Sequence, residues 1–548
     1  MNAAIILALS LGVFGLAYKL YGSFLDKKFN IDDRNITPAH SKYDGEDFMP
    51  AKNWIVLFGH HFSSICGAGP IVGPVLAVAY WGWAPSLIWI LLGATLMGAV
   101  ADYSSLVVSM RSEGEGIAEI AGPTISNRAR LFFSWFIWIL VILVVAVFAI
   151  FGAKTLNMDP TSVVPATGLI PAAMFTGWLL YAKKMNNLLA TFIGLALLAL
   201  LLIGGNIMPL SLPDMGFLSA QNLWILILLA YCLIASVTPV NLILQPRDYL
   251  ASFLLFGTIL IGLIGIFYNA PSLPNTAFHA WNPVSEWKGA GPLFPMLFVT
   301  IACGAISGFH SLVSSGTTCK QIDRETHACR IGYGGMLTEG LVAVLVLICV
   351  AAGLSSSDLK STLGQGGPIA AFGQGFGNLS SFLLGDYASG FAILALNTFI
   401  LTTLDSATRI ARYLTMDLFH IKNKYIATML VVLLAALLAL SGQWSKFWPA
   451  FGTANQLIAG LSLLVASAWL IKNKKSSWYT LIPGIIMMIT TTCAFIYQLT
   501  HALFASVNDE LVMQLKDSPD YFIALIAMIL LSLSFVVIAE MGKRTLST

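Results

Sequence analysis

His60 and His61 are the residues of this chain best suited to carry a proton. Histidine titrates near neutral pH, so it serves chemistry that loads and unloads protons under physiological conditions. The pair stands just ahead of Cys66-Gly67-Ala68-Gly69-Pro70-Ile71-Val72-Gly73-Pro74, a run that breaks a helix. Proline lacks an N–H and clashes with the preceding turn, and glycine weakens a helix further. Neighbouring helical residues point about 100° apart, so the two histidines are not expected to share one pocket. At least one is expected to couple protons; the alternative is a structural histidine bonded to a backbone carbonyl.

Glu339 is the acidic candidate for a proton relay, lying about 10 Å inside its apolar segment at 1.5 Å per residue. Asp405 and Arg409 stand at i, i+4 and are expected to pair, an arrangement that also suits an inner gate. Asp102 has the arginines of the following loop as possible partners. Ser311, Ser314 and Ser315 share a helical face, where their hydroxyls suit an ion or a proton-transfer water, or simply close helix packing. His60, His61, His310 and Cys66 match no metal-ligand spacing, and no metal is expected. No phosphate loop, nucleophile motif or basic run appears, so neither an enzyme nor a nucleic-acid partner is expected. The seven cysteines form no CxxC pair.

The elements that must position these groups are apolar. Of the 548 residues 57% are hydrophobic and 10% charged, against about 25% charged in soluble domains. Such a chain needs lipid as its solvent. Segments of about 20 apolar residues read as about fifteen transmembrane helices: 3–21, 54–80, 84–110, 131–152, 162–182, 187–208, 222–241, 250–269, 293–315, 332–354, 386–404, 425–441, 446–470, 478–499 and 520–541. The fold class is all-α and polytopic. Lysines and arginines test the count, because they gather on cytoplasmic loops. Even-numbered loops hold only Lys154, Lys288, Lys360, Lys446 and Lys516. That places the N-terminus outside and the C-terminus in the cytoplasm, with the first segment retained. The glycine-rich stretch 355–385 reads as a flexible lid or a re-entrant segment.

Two spans contain breakers, the second at Gly67–Pro74 and the seventh at Ala235-Ser236-Val237-Thr238-Pro239-Val240-Asn241. Unwound backbone survives in a bilayer only where protein, ligand or water satisfies it. An offset of five reverses direction, so spans 2–6 and 7–11 read as two five-helix inverted repeats, each opening with a broken helix and sharing a midplane site. Gly67, Ala68, Gly69, Pro70, Thr238 and Asn241 are the expected substrate-binding residues. The helix start near Pro70 offers free N–H groups to a carboxylate.

The run from Gly59 to Pro74 resembles the signature of the carbon starvation protein A family. So do Gln245-Pro246-Arg247-Asp248-Tyr249, the run from Gly308 to Thr318, the run from Thr402 to Arg409, and the run from Phe447 to Gln456. The resemblance implies an inner-membrane transporter with an amino acid–polyamine–organocation (LeuT-like) core, taking up short peptides or pyruvate, the latter with protons.

The expected function is import of pyruvate or short peptides by proton symport with alternating access, without a cofactor beyond a proton or sodium gradient. Sodium coupling and a non-transporting nutrient sensor are the alternatives. The expected divisions are 1–53, an N-terminal helix and loop; 54–241, the first repeat and the opening helix of the second; 242–424, the rest of the second; and 425–548, accessory helices. The expected partners are a small-molecule substrate and the lipid bilayer.

Overall fold

The computed structural model describes residues 2–216, 218–282, 290–441, 444–507, 510–515 and 520–545. In chain order the helices are α1 (Ala3–Phe29), α2 (Trp54–Ile65), α3 (Gly69–Trp81), α4 (Trp83–Met110), α5 (Ile117–Thr124), α6 (Asn127–Met158), α7 (Pro160–Leu180), α8 (Asn187–Ile207), α9 (Ala220–Val237) and α10 (Leu244–Asn269). They continue as α11 (293–300), α12 (Gly308–Gly316), α13 (Glu325–Gly353), α14 (Ser356–Gln365), α15 (Gly367–Leu384), α16 (Ala388–Leu418), α17 (Lys424–Leu440), α18 (Trp444–Lys472), α19 (Trp478–Leu503) and α20 (Tyr521–Thr545). A two-stranded antiparallel hairpin, β1 (Phe504–Val507) and β2 (Glu510–Leu515), joins α19 to α20.

Among the described residues, twelve helices are long and apolar enough to cross a membrane, thirteen when the bent pair α2–α3 counts as one span. The expectation was about fifteen. The difference lies in α17, which has only 17 residues, and in the ninth segment, which is split into α11 and α12.

The core is built around α6 and α16, which pack along each other. The apolar window of α6 is 89% buried. Both helices also contact α9 and α17, and α9 and α17 touch each other. α2 packs against α10, α12 against α4 and α18, and α3 against α13, while α7 and α8 form a hairpin with α10 beneath α7. Helix starts are set locally: the side chain of Asn53 accepts from the Val56 N–H at 2.9 Å to open α2, and Ser126 accepts from Ala129 at 3.1 Å to open α6. Each such cap supplies a partner for an N–H that has none inside the helix.

The glycine-rich stretch is helical rather than flexible. It folds into α14 and α15, and α15 packs against α10, α13 and α16. Its glycines permit close approach: a Cβ at Gly375 would clash with the Cys349 carbonyl oxygen, and one at Gly353 would lie 2.5 Å from that of Gly375. At Gly364 nothing lies within 4 Å. Gly375→Val should therefore destabilise the protein by about 1–3 kcal/mol through overpacking against backbone, while Gly364→Ala should be near neutral. Thermal unfolding of the two purified variants checks this.

Candidate functional site

The break in the second span falls where the sequence places it. α2 ends at Ile65, Cys66 leaves helical geometry with φ −80 and ψ 73, and α3 resumes at Gly69 after a 45° bend. The carbonyls freed at the end of α2 are met from α16. Thr402 Oγ1 donates to the Ser63 oxygen at 2.6 Å and Thr403 Oγ1 to the Ser64 oxygen at 3.1 Å.

The second break lies in the ninth span, not the seventh. Residues 301–307 separate α11 from α12. Two amides of α18 brace this gap. Asn455 Oδ1 accepts from the Phe309 N–H at 2.8 Å at the start of α12. Gln456 Nε2 donates to the Phe298 oxygen at 2.6 Å at the end of α11, where Trp89 Nε1 also donates, to Phe298 at 3.2 Å and to Ile301 at 3.1 Å. The expected break at Ala235–Asn241 is instead a helix end. α9 runs unbroken to Val237, and Thr238 is extended at ψ 144, as a residue before proline tends to be.

The two true breaks lie against each other. A Cβ on Gly69 would clash with Cys303 Sγ, and one on Gly73 would meet the Thr300 oxygen at 2.5 Å. Gly67 is pressed between Phe148 and Thr403 in the same way. Gly67, Ala68, Gly69 and Pro70 therefore do gather at the junction of the broken helices. Thr238 and Asn241 do not. They sit in the turn after α9, where the Thr238 carbonyl accepts from Arg409 and the Val240 N–H donates to Glu46 at 3.1 Å.

Two buried ionisable clusters flank the junction. In the first, His60 Nδ1 lies 2.6 Å from Asp248 Oδ2. Arg247 donates to Asp248 Oδ1 at 2.9 Å and also pairs with Asp405 and the Tyr231 hydroxyl. Tyr231 in turn donates to Asp405 at 2.7 Å. In the second, His310 stands between Asp102 at 3.2 Å from Nδ1 and Glu339 at 3.0 Å from Nε2. All four members of the first ionic chain and all three of the second have at most 1% of their side chain exposed. The Ser311 and Ser314 hydroxyls and the outer oxygens Asp102 Oδ1 and Glu339 Oε1 have no hydrogen-bond partner among the described residues.

His61 belongs to neither cluster; its Nδ1 contacts Thr318 Oγ1 at 2.9 Å. Ser315 is used in bracing, donating to the Ser311 oxygen at 2.8 Å and accepting from the Ile117 N–H at 3.2 Å. The expected Asp405–Arg409 pair is not formed. The i, i+4 spacing brings them near, but Arg247 from α10 reaches Asp405, and Arg409 turns to Asp47 at 2.6 Å. Arg412 joins at 3.3 Å. Arg247, Arg409 and Arg412, which the charge pattern assigns to loops, are thus buried in helices. Asp47 lies in the loop before α2. Burial alone would push its carboxyl up, but the two guanidinium groups outweigh that and hold it below the usual carboxylate range.

Asp248, Arg247, Tyr231 and the amides of α18 are the site residues that spacing alone does not single out. Their available signal is chemical: a charged pair, or two adjacent amides, inside an apolar segment requires partners.

A model of the carbon starvation protein CstA family matches residues 2–359 and 354–494. This chain belongs to that family. It is 34% identical to the peptide transporter CstA of Bacillus subtilis (strain 168) over 543 residues, with 90% of each chain covered. It is 33% identical to the peptide transporter CstA of Escherichia coli (strain K12), and 31% to the pyruvate/proton symporter BtsT of the same strain. In both cases 90% of this chain and 81% of the relative are covered. The fold is similar to that of the Eremococcus coleocola manganese transporter, solved in complex with an aromatic bis-isothiourea substituted compound. The TM-score is 0.53 at 13% identity, covering 91% of this chain and 99% of that one. A histidine-to-alanine mutant of that transporter gives 0.54 at the same identity and coverage.

Asn455→Ala should leave the Phe309 N–H and the Ser307 hydroxyl without their partner and destabilise the protein by about 1–3 kcal/mol, the penalty for an unsatisfied buried group. Thermal unfolding, with hydrogen exchange read at 305–312, measures it. The Asp47 latch holds at neutral pH and is released as pH falls through the lowered carboxyl value, because a depressed carboxylate favours the paired state only while ionised. Asp47→Asn should release it at every pH. A cysteine introduced at exposed Glu46 should then react faster with a hydrophilic maleimide in that variant than in the parent at neutral pH.

Proposed function

We propose that this chain is a secondary transporter of the cell membrane that imports a small carboxylate-bearing nutrient, pyruvate or a short peptide, by proton symport with alternating access. The observation that carries this reading is the meeting of two interrupted helices, α2–α3 and α11–α12, beside two buried histidine–carboxylate clusters. The names of the relatives, peptide transporter and pyruvate/proton symporter, agree with it.

A five-plus-five inverted repeat is supported by the way the helices pair, with a different membership from the one expected. One half is α2–α3, α4, α6, α9 and α10; the other is α11–α12, α13, α16, α17 and α18. Exchanging the halves maps contacts onto contacts. The pair α2 with α10 becomes α11 with α18, and α12 with α4 becomes α3 with α13. The pair α9 with α16 becomes α17 with α6, and α10 with α16 becomes α18 with α6. The α7–α8 hairpin is an insertion within the first half, between α6 and α9. The second and ninth spans are seven apart, an odd offset, so they run in opposite directions as such repeats require. Residues 425–472 then belong to the second half, beyond the expected boundary at 424.

For the substrate, α3 is the better anchor. Its start carries no side-chain cap, whereas α12 takes Asn455, so the N–H groups near Gly69 are left for a carboxylate. For the ion, charge counting favours a proton. Arg247 faces two carboxylates, Asp248 and Asp405, and a proton on His60 brings that cluster to zero net charge. His310 faces Asp102 and Glu339, so with His310 charged one further proton neutralises the group. A sodium ion at the first break would compete for the carbonyl oxygens of Ser63 and Ser64, which already accept from Thr402 and Thr403. The distribution of basic residues supports an orientation with the N-terminus outside, the C-terminus inside and the histidine-bearing half-helices α2 and α12 toward the cytoplasm.

Proteoliposomes with an imposed inward proton gradient should accumulate labelled pyruvate or a labelled dipeptide. Glu339→Gln should abolish that accumulation yet keep exchange of internal for external substrate, since only net proton movement needs the carboxyl. Absence of gradient-driven uptake of every substrate tried, or uptake that follows sodium at fixed pH, would sink the proton-symport reading.

A further inference from the structure

Away from the paired breaks, a groove of about 750 Å³ runs between α1, α2, α10 and α13. Its walls are apolar, chiefly Leu11, Phe14, Phe58, Phe256, Leu337 and Leu341. The surface around its mouth is apolar and exposed: Ile55, which lines it, is 49% exposed and nearby Leu16 61%. One end is polar. Arg330, exposed at the start of α13, holds its guanidinium 5.3 Å from the ring of Trp54 at the start of α2. Among the described residues Arg330 forms no ion pair, unlike Arg111, Arg247, Arg409 and Arg412.

We infer that this groove is a binding site for an anionic phospholipid, with the headgroup phosphate on Arg330 and an acyl chain along α13. Three observations select this occupant. An unpaired arginine beside an interfacial tryptophan suits a phosphate at the membrane surface. Basic pockets between helices on the cytoplasmic side recognise acidic headgroups. The groove also has the right length. From Arg330 to Leu341 along the helix is about 16 Å at 1.5 Å per residue, close to half of the roughly 30 Å hydrocarbon thickness, which is the depth of one leaflet. The lipid lies against Trp54, Ile55 and Phe58 on the outer face of α2, so its presence also supports that half-helix from the membrane side.

The test is lipid retention by the purified full chain in detergent, read by native mass spectrometry after addition of phosphatidylglycerol or phosphatidylcholine. The parent should retain phosphatidylglycerol in preference. Arg330→Gln should weaken that retention about fivefold, the factor set by one basic residue near an anionic surface, and leave phosphatidylcholine unchanged. Leu341→Trp, which fills the groove and keeps the arginine, should displace both lipids. Unchanged melting temperatures establish that both variants are folded. Equal retention of the two lipids by the parent, or undiminished phosphatidylglycerol on Arg330→Gln, overturns the proposal. So does full displacement by excess inorganic phosphate, which would make the site one for free phosphate.

Discussion

Main-chain N–H and C=O groups inside a membrane must find partners within the protein, because hydrocarbon offers none. Interrupting two helices within apolar spans therefore dictates much of the rest. The carbonyls at the end of α2 need donors, and Thr402 and Thr403 on α16 supply them. The gap between α11 and α12 needs both a donor and an acceptor, and Gln456 and Asn455 on α18 provide one each. These bonds fix α16 and α18 against the broken pair. The glycines at 69 and 73 follow from the same constraint, since a side chain at either would push the two breaks apart, and Gly67 lets the first break pack against Phe148 and Thr403.

This constraint also explains which features the sequence betrays. The break at Gly67–Pro70 is legible because proline and glycine act locally, on their own turn. Pro239 carries an equally loud local signal, but it falls where α9 was ending anyway, and nothing in the neighbouring residues distinguishes a mid-depth break from a terminus. The break at 301–307 has no proline. Its evidence lies about 150 positions later, in Asn455 and Gln456, and becomes readable only when α18 is folded against α12. The same holds for the charges. Asp405 and Arg409 look like partners along one helix, yet each finds a stronger tertiary partner, Arg247 and Asp47. Apolar segments, by contrast, are a property of single stretches, so the helical regions were legible nearly throughout. The count of spanning rods was not, because α17 is short and the ninth segment is divided.

Burial of so much charge is not an economical way to hold a fold together. Moving ions out of water carries a penalty that pairing only partly returns, and removing one member of a buried pair typically destabilises a protein by about 3–5 kcal/mol. Both clusters carry an excess of acid until a further proton is added: Asp248 and Asp405 face one permanent cation, Arg247, with neutral His60 beside them, and Asp102 and Glu339 face only His310. A stabilising design would balance them. An excess of acid next to a histidine is what a group needs if it is to accept a proton and give it up again, and this imbalance supports the proposed coupling more directly than the presence of histidine alone.

The links of α2 show how a proton would be felt beyond its own cluster. His60 contacts Asp248 through Nδ1 and Gln321 through Nε2, the latter at 3.2 Å. With Nδ1–H donating to Asp248, Nε2 is an acceptor and the Gln321 amide N–H₂ is its donor. Once His60 is protonated, both ring nitrogens carry hydrogen, and the Gln321 contact becomes donor against donor. The Gln321 side chain must then turn, yet its oxygen is already accepting from Gln245 at 2.7 Å. Its main-chain oxygen meanwhile accepts from the Ala51 N–H at 2.9 Å, and that of Lys320 accepts from Met49 at 3.1 Å. Those two bonds fasten the segment that carries Asp47 and leads into α2. A single proton on His60 therefore sets two demands on one glutamine, and the glutamine sits on the strap that holds the half-helix in place.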